Sequence, residues 1–310
     1  MAELLQPAAY MYDVVIVGGG PAGLSAALVL GRCRRRVLVC DAGSPRNARA
    51  RELHGYLTRD GIPPLDLLRA GREELRAYGI QPREAKVTDI TGSPEGFAIA
   101  LADGDRLQAR TVLIAGGVTD RLPEIPGLDE CYGLSAHHCP YCDGWEERDK
   151  CIGVIGDGAA ATGLSLALKT WSDRVILCSN GRARLRPAHR EQLTQHAIAV
   201  HESRIVQIEH DHGLVRYLAL ANGDRISCDA IFFTTGQRPQ CDLPQQLGCA
   251  LTKRGLVKTD RLGQTRVPGL YVAGDASHDV QFAIVAAAEG AKAAVAINKA
   301  LQERAGLALT

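Results

Sequence analysis

Net charge is almost absent from this chain, because 36 lysines and arginines face 35 acidic residues and leave a formal +1. So balanced a protein has no overall basic field with which to capture nucleic acid or an anionic membrane. The opening MAELLQPAAYMYDVV lacks a charged segment followed by a long apolar run and a small-residue cleavage site. No later stretch reaches about 18 uninterrupted apolar residues. The expectation is a soluble, cytoplasmic protein with no nucleic-acid and no membrane partner. A second CxxC is missing as well. Structural zinc wants four ligands, commonly two such pairs, and His137, His138, Cys139 and Cys142 are the one local set on offer; we expect no metal. Ten cysteines in 310 residues are too dilute for a disulfide framework. In a reducing compartment most should be small buried hydrophobes, which suits Cys33, Cys40, Cys151, Cys178, Cys228 and Cys249, in or beside apolar segments; Cys131 and Cys241 have no assignment. What is present, 46% hydrophobic and 23% charged residues, is an ordinary folded composition with length for two domains.

From Tyr12 the chain reads YDVVIVGGGPAGLSAALVLGRCRRRVLVCDAG: apolar strand, glycine turn, small-residue helix, second strand, then Asp41. Gly18, Gly20 and Gly23 fill the GxGxxG positions. The first allows the tight turn, the second lets backbone approach a pyrophosphate, and the third lets helix and strand pack closely, with phosphates at the helix N-terminus. Asp41 follows Gly23 by roughly the 20 residues expected of a carboxylate that holds ribose hydroxyls. A second unit begins at Lys150, KCIGVIGDGAAATGLSLALKTWSDRVILCSNG, where Gly156, Gly158 and Ala161 give GxGxxA. Its second strand ends in Cys178, Ser179, Asn180 and Gly181, without a carboxylate for a free ribose diol or an arginine pair for a 2'-phosphate. Arg182, Arg184 and Arg186 follow slightly later, either a substitute clamp or a solvated basic loop.

Between the two units lies HHCPYCDGWE, residues 137–146. ARTVLIAGGVTDRLPEIPG, from Ala109, is a strand running into glycines and prolines, an exit from one domain. CDAIFFTTGQRP, from Cys228, is a similar strand and a candidate return. Near the end, VPGLYVAGDASHDVQFAIVAAAEGAKAAVAINKAL offers a strand, Gly274 and Asp275, then a long alanine-dense helix.

This order of parts resembles the low-molecular-weight thioredoxin reductase family of flavoproteins from Tyr12 to about Leu301, most specifically in CPYCDG placed directly before the second nucleotide fold. The resemblance implies an α/β fold of two Rossmann-like (three-layer ββα) dinucleotide-binding domains, the second inserted in the first. The FAD domain would comprise residues 1–120 plus 243–310, and the inserted pyridine-nucleotide-type domain, carrying the cysteine pair, residues 121–242, in a homodimer. By the same resemblance Gly18, Gly20, Pro21, Ala22, Gly23 and Asp41 would hold the FAD pyrophosphate and AMP ribose. Val87 would meet the adenine, Asn47 and His54 would line the flavin, and Gly274, Asp275, Phe282 and Ala283 would meet its ribityl side and ring. Gly156, Gly158 and Ala161 mark the nicotinamide site. Two departures set the chain apart. The NADPH-dependent members carry His-Arg-Arg where this chain has Ser179, Asn180 and Gly181, and Arg-Gln where it has Gln281 and Phe282. HCPYC is closer to a CPxC subgroup that includes natural-product dithiol oxidases, whereas Asp143 matches the reductases.

A thiolate, not a thiol, attacks a disulfide, so a redox pair needs an accessible sulfur and a second to resolve the mixed disulfide. By resemblance Cys142 would face the flavin, Cys139 would exchange with substrate, Asp143 would move the proton, and His138 would join the catalytic set. His137 and His138 otherwise read as ordinary exposed or capping histidines, Tyr141 as a contact surface, and Trp145 as packing at the domain boundary. Glutaredoxins share CPYC but are short single domains with the pair near the start. The expected function is that of an FAD-dependent thiol-disulfide oxidoreductase of thioredoxin reductase type, reducing a protein disulfide through Cys139 and Cys142, with a thioredoxin-like protein or small dithiol or disulfide as partner and with the donor, NADPH, NADH or another such as ferredoxin, left open. The alternatives are a dithiol oxidase with oxygen as acceptor and a flavin redox sensor without turnover.

Overall fold

The computed structural model describes residues 11–234, 236–277 and 280–307. Valine and isoleucine runs that are buried on both sides belong in the middle of a parallel sheet, and Val14, Val15 and Ile16, fully buried, form the centre of strand Met11–Val17. A seven-stranded sheet grows around it. Val37–Asp41 and Arg83–Glu84 pair in parallel on one side, and Arg106–Ile114 on the other. The second half of Arg106–Ile114 takes Leu270–Val272 in parallel, and its first half takes the antiparallel pair Phe97–Leu101 and Val87–Gly92. Residues from both ends of the chain thus build one sheet.

Helix Pro21–Arg32 lies on one face beside the helix Ala283–Arg304, and the two share a core with Val14, Ile16 and Leu113. The alanine density of the second helix has its explanation here. A Cβ on Gly290 would stand 1.9 Å from the carbonyl oxygen of Ala22, so the helices touch backbone to backbone. The small residues let that helix press on a neighbouring helix.

A second sheet is wholly parallel, in the order Ala199–His201, Val175–Cys178, Ile152–Ile155, Ala230–Phe233, Ala136–His137. Helix Gly158–Leu168 covers one face and the antiparallel strands Ile205–Asp211, Leu214–Leu220 and Arg225–Ser227 cover the other. The second half is therefore three-layered, and the two sheet-based halves agree with the α/β fold that the resemblance implied. The chain passes between them along Val118–Arg121 and Gly236–Pro239, which pair antiparallel as a two-stranded ribbon. No helix among the described residues is long and apolar enough to cross a membrane.

Candidate active site

The first glycine turn and the cysteine pair open on one cavity of about 590 Å³. Asp41 and Val87, at the tips of their strands, line it together with Gly18, Gly20, Pro21 and Ala22. Asn47, His54, Gly274, Asp275, Phe282 and Ala283 line it as well, as do His137, His138, Cys139, Cys142 and Asp143. Gly23 stays out of the lining. A Cβ there would meet the Gly18 carbonyl oxygen at 1.9 Å, so its hydrogen serves the close packing of helix on strand.

Whether this cavity fits a dinucleotide turns on Gly20. Its backbone (φ −76°, ψ −175°) is open to any residue, and a Cβ built there meets nothing within 4 Å. Nothing in the protein itself demands glycine at this position. A phosphate drawn against the backbone N–H groups at the start of helix Pro21–Arg32 does. Gly18, in contrast, is required by the fold, with φ +108° and a Cβ position 2.4 Å from the Ala115 carbonyl oxygen. Asp41 accepts from Arg72 and from the Gly43 N–H, which orients its carboxylate at the cavity.

Arg46 is the residue the sequence reading missed. Its guanidinium, 16% exposed, pairs with both carboxylate oxygens of Asp120 at 2.7 Å and with Asp275 at 2.9 Å, and donates to Gln281 at 2.8 Å. Gln237 joins the cluster through Asp120 and Gln281. Asp120 and Gln237 sit on the ribbon between the halves, so Arg46 ties the first sheet's loops to the crossing point. Burial pushes the Asp120 carboxyl up, but the Arg46 hydrogen bonds and charge outweigh it and hold it below the ordinary range. Burial dominates at Asp275, which is raised. The neighbouring Asn47 was singled out; Arg46 looked like one more arginine in an arginine-rich loop.

Cys139 and Cys142 form a disulfide, with Cys142 on the single helical turn Pro140–Asp143. The two histidines before it have different surroundings. His138 accepts from Arg46 through Nε2 at 3.1 Å, since a guanidinium can only donate. Its proton therefore sits on Nδ1, 3.2 Å from the Tyr132 hydroxyl, which in turn donates to Asp120. Burial and the nearby Arg46 charge lower the His138 pKa despite Asp120, so the ring is neutral with both nitrogens engaged. His137, expected to be exposed or a cap, is buried, with Nδ1 3.3 Å from Asp143 and Nε2 3.4 Å from Glu147. Burial pulls its pKa down, yet the hydrogen bonds to the two carboxylates raise it to about 9. His54 lies within 3.6 Å of Glu52, Asp60 and Glu146, the last on the segment that carries the disulfide.

The second glycine turn is built differently. Gly158 has φ +66° and Gly156 φ +159° with a Cβ position 2.4 Å from Thr234 Oγ1, so both glycines answer to backbone and packing alone. Ala161 is buried in the core below. At the start of helix Gly158–Leu168, where a phosphate would seat, lies the carboxylate of Asp157. It accepts from the Gly158 N–H at 2.7 Å, the Arg184 N–H at 2.7 Å and Arg184 Nε at 2.6 Å. Hydrogen bonds from Arg184 hold that carboxyl below the ordinary range. At the end of strand Val175–Cys178 the polar side chains also turn inward. Ser179 Oγ donates to the Gly181 carbonyl, and Asn180 Oδ1 accepts from the Ile205 N–H. Arg186 meets His189. Of the three arginines, Arg184 is thus engaged with Asp157 and Arg186 with His189.

Three smaller expectations change. Trp145 is 64% exposed with Arg148 stacked on its ring, not packed at a boundary, because the chain turns outward after Gly144. Tyr141 is 72% exposed and meets Trp171 and Phe282 edge-on. Cys33 is exposed at the end of helix Pro21–Arg32, while Cys131 is buried and Cys151 only partly so. The buried thiols Cys40, Cys131 and Cys178 are raised by desolvation to about 11, 11 and 12, which keeps them inert.

Residues 12–290 match the family described as pyridine nucleotide-disulphide oxidoreductase. A probable thioredoxin reductase of Arthroderma benhamiae is 32% identical over 97% of this chain and 83% of its own. The crystal structure of HlmI superposes with a TM-score of 0.93 at 34% identity, covering 97% of this chain and 96% of that one. A putative thioredoxin reductase TrxB from Bacillus anthracis superposes at 0.90 with 32% identity, over 95% and 99%. With a disulfide lining the same cavity as the first glycine turn, the chain belongs to the pyridine nucleotide-disulphide oxidoreductase family and is a thioredoxin reductase-like flavoprotein oxidoreductase.

Proposed function

We propose that the protein is an FAD-dependent dithiol oxidase, in which electrons enter from a substrate dithiol through Cys139 and Cys142 and leave to oxygen. FAD would occupy the cavity, its pyrophosphate at Gly18, Gly20, Pro21 and Ala22, its AMP ribose at Asp41 and its adenine by Val87. Asn47, His54, Gly274, Asp275, Phe282 and Ala283 would surround the flavin end. Bound there, FAD supplies a two-electron acceptor for the reduced cysteine pair and a route from it to oxygen.

The chain's own residues do the thiol chemistry. A substrate thiol gives its proton to Asp143 and attacks one sulfur of the pair; the Cys139–Cys142 bond breaks, a mixed disulfide forms and the other cysteine leaves as thiolate. The second substrate thiol, losing its proton, attacks the substrate sulfur of the mixed disulfide. That closes the substrate's disulfide and leaves two electrons on the cysteine pair. The resemblance gives the exchanging sulfur as Cys139; both line the cavity.

One observation carries the choice of electron source. Asp157 and Arg184 fill the place at the second helix N-terminus that a nicotinamide dinucleotide would need for its phosphates. A reductase of a thioredoxin-like protein, running in the opposite direction from a donor other than a nicotinamide, is the second reading, favoured by Asp143 after the second cysteine.

The test is anaerobic. Dithiothreitol should bleach the flavin absorbance in the purified holoprotein, while NADPH and NADH should leave it unchanged, and admitting air should yield peroxide in step with dithiol consumed. Bleaching by either nicotinamide and none by dithiol would overturn the direction proposed.

A further inference from the structure

His137 plays no part in the chemistry above, yet its surroundings are the most elaborately charged among the described residues of the second half. It lies on the edge strand Ala136–His137, held in register by Phe232 of the neighbouring strand, whose ring packs on the imidazole at 5.3 Å between centroids. Only 6% of its side chain is exposed. Both of its ring nitrogens meet carboxylates. Asp143, from the turn that carries Cys142, meets Nδ1 at 3.3 Å. Glu147, 6% exposed and four residues on, meets Nε2 at 3.4 Å and is itself paired at 2.7 Å with Lys150, whose side chain reaches solvent.

A neutral imidazole has one N–H and one lone pair. With carboxylates at both nitrogens, the neutral form would press its lone pair against a negative oxygen, so this site holds the doubly protonated ring. The raised His137 pKa agrees with the geometry. The result is a row of alternating charge running from the redox pair to the surface: Asp143, His137, Glu147, Lys150. Its two ends differ mechanically. His137 is fixed to a sheet, whereas Asp143 ends a single helical turn whose disulfide must open and close in every cycle.

We propose that His137 is a positioning residue for Asp143. Its imidazolium, anchored on the far side by Glu147 and Lys150, keeps the Asp143 carboxylate aimed at Cys139 and Cys142 while the disulfide between them breaks and reforms. Glu147 serves to keep the charge on the ring in a site that would otherwise expel it. This rests on the reading of Asp143 as the group that takes the thiol proton.

The experiment follows two signals from pH 5 to 10 in the holoprotein. One is anaerobic flavin bleaching by dithiothreitol. The other, independent of the flavin, is the alkylation rate of the reduced cysteine pair by iodoacetamide. In His137→Gln, where the Asp143 carboxylate loses its fixed partner, bleaching should be roughly tenfold slower or more below about pH 9. The wild-type and variant profiles should converge above about pH 9, where His137 itself loses its proton. In an Asp143→Asn background the same change should have no further effect on bleaching, because His137 acts through Asp143. Glu147→Gln leaves the ring in place and should bring the convergence to lower pH, which keeps the test open if His137→Gln fails to fold. Superimposable profiles for wild type and Glu147→Gln, or a His137→Gln effect that persists undiminished in Asp143→Asn, would overturn the proposal. Failure of the wild type to bleach with dithiol at any pH would instead sink the dithiol oxidase reading, while the alkylation profiles would still report on His137.

Discussion

Replacing Asp157 with asparagine changes one charge and almost no shape, and it addresses the feature on which the proposed electron source rests. The carboxylate takes two backbone N–H groups and one guanidinium N–H, with 19% of its side chain exposed against 87% of Arg184. A phosphate seated on the Gly158 N–H would stand within about 4 Å of it, where two like charges repel by about 1 kcal/mol in water and about 4 kcal/mol at an effective dielectric constant of 20. The exposed Arg184 offsets part of that repulsion. We therefore expect about 1 to 3 kcal/mol in favour of binding for Asp157→Asn, or roughly 5- to 150-fold tighter nicotinamide dinucleotide. Asp157→Gly should gain at least as much, since it also releases the Gly158 N–H. Backbone strain does not enter, because Asp157 is extended (φ −139°, ψ 160°) and any residue adopts that conformation. Equilibrium titration of NADH and NADPH, read by nicotinamide fluorescence, measures the change directly. Micromolar binding by the wild type, or equal affinity in wild type and both variants, would show that Asp157 is not the obstacle.

Other outcomes follow from the same geometry. Gly20→Val should melt within about 1 kcal/mol of the wild type, since its side chain enters open space, but should purify without flavin; retained 450 nm absorbance would count against the phosphate seat. Gly290→Val, with its Cβ inside the Ala22 carbonyl, should lose several kcal/mol by denaturant titration as the helices are forced apart. Arg46→Met should leave Asp120 unpaired in a buried site and cost about 3 to 5 kcal/mol, whereas Arg49→Met, half-exposed, should cost under about 1 kcal/mol. His137 is raised from 6.5 unfolded to about 9 folded, so its contribution to stability, about 3 kcal/mol at most, is complete below pH 6.5 and lost as pH rises through 9. His137→Gln should accordingly flatten the melting temperature across that window, and an unchanged slope would mean the ring is neutral.

Much of this architecture was legible because local and tertiary requirements coincide. Residues 14–17 are apolar on both faces, and no other place than a central parallel strand buries both. The paired glycine turns, the exit strands and the alanine-dense helix were readable for the same reason. The site was legible only where a motif occupies consecutive positions. CPYCDG brought Cys139, Cys142 and Asp143 together by chain connectivity. Arg46, Asp120, Gln237 and Gln281 lie on four separate segments and meet only through the fold, so no spacing announces them.

The sequence by itself determined that there are two nucleotide folds, that a cysteine pair stands between them, and that the second strand of the second fold ends in Ser179, Asn180 and Gly181 rather than a carboxylate or an arginine pair, since each rests on residue types at short, fixed separations. Tertiary structure decided what those parts do to each other. It brought the disulfide onto the cavity lined by the first glycine turn. It gave the two adjacent histidines different charge states, one neutral and one positive, by surrounding one with a guanidinium and a hydroxyl and the other with two carboxylates. It also placed Arg184 on Asp157 across 27 residues, filling the second anion seat from within. Charge state and occupancy depend on what lies within a few ångströms, and only the folded chain sets those distances.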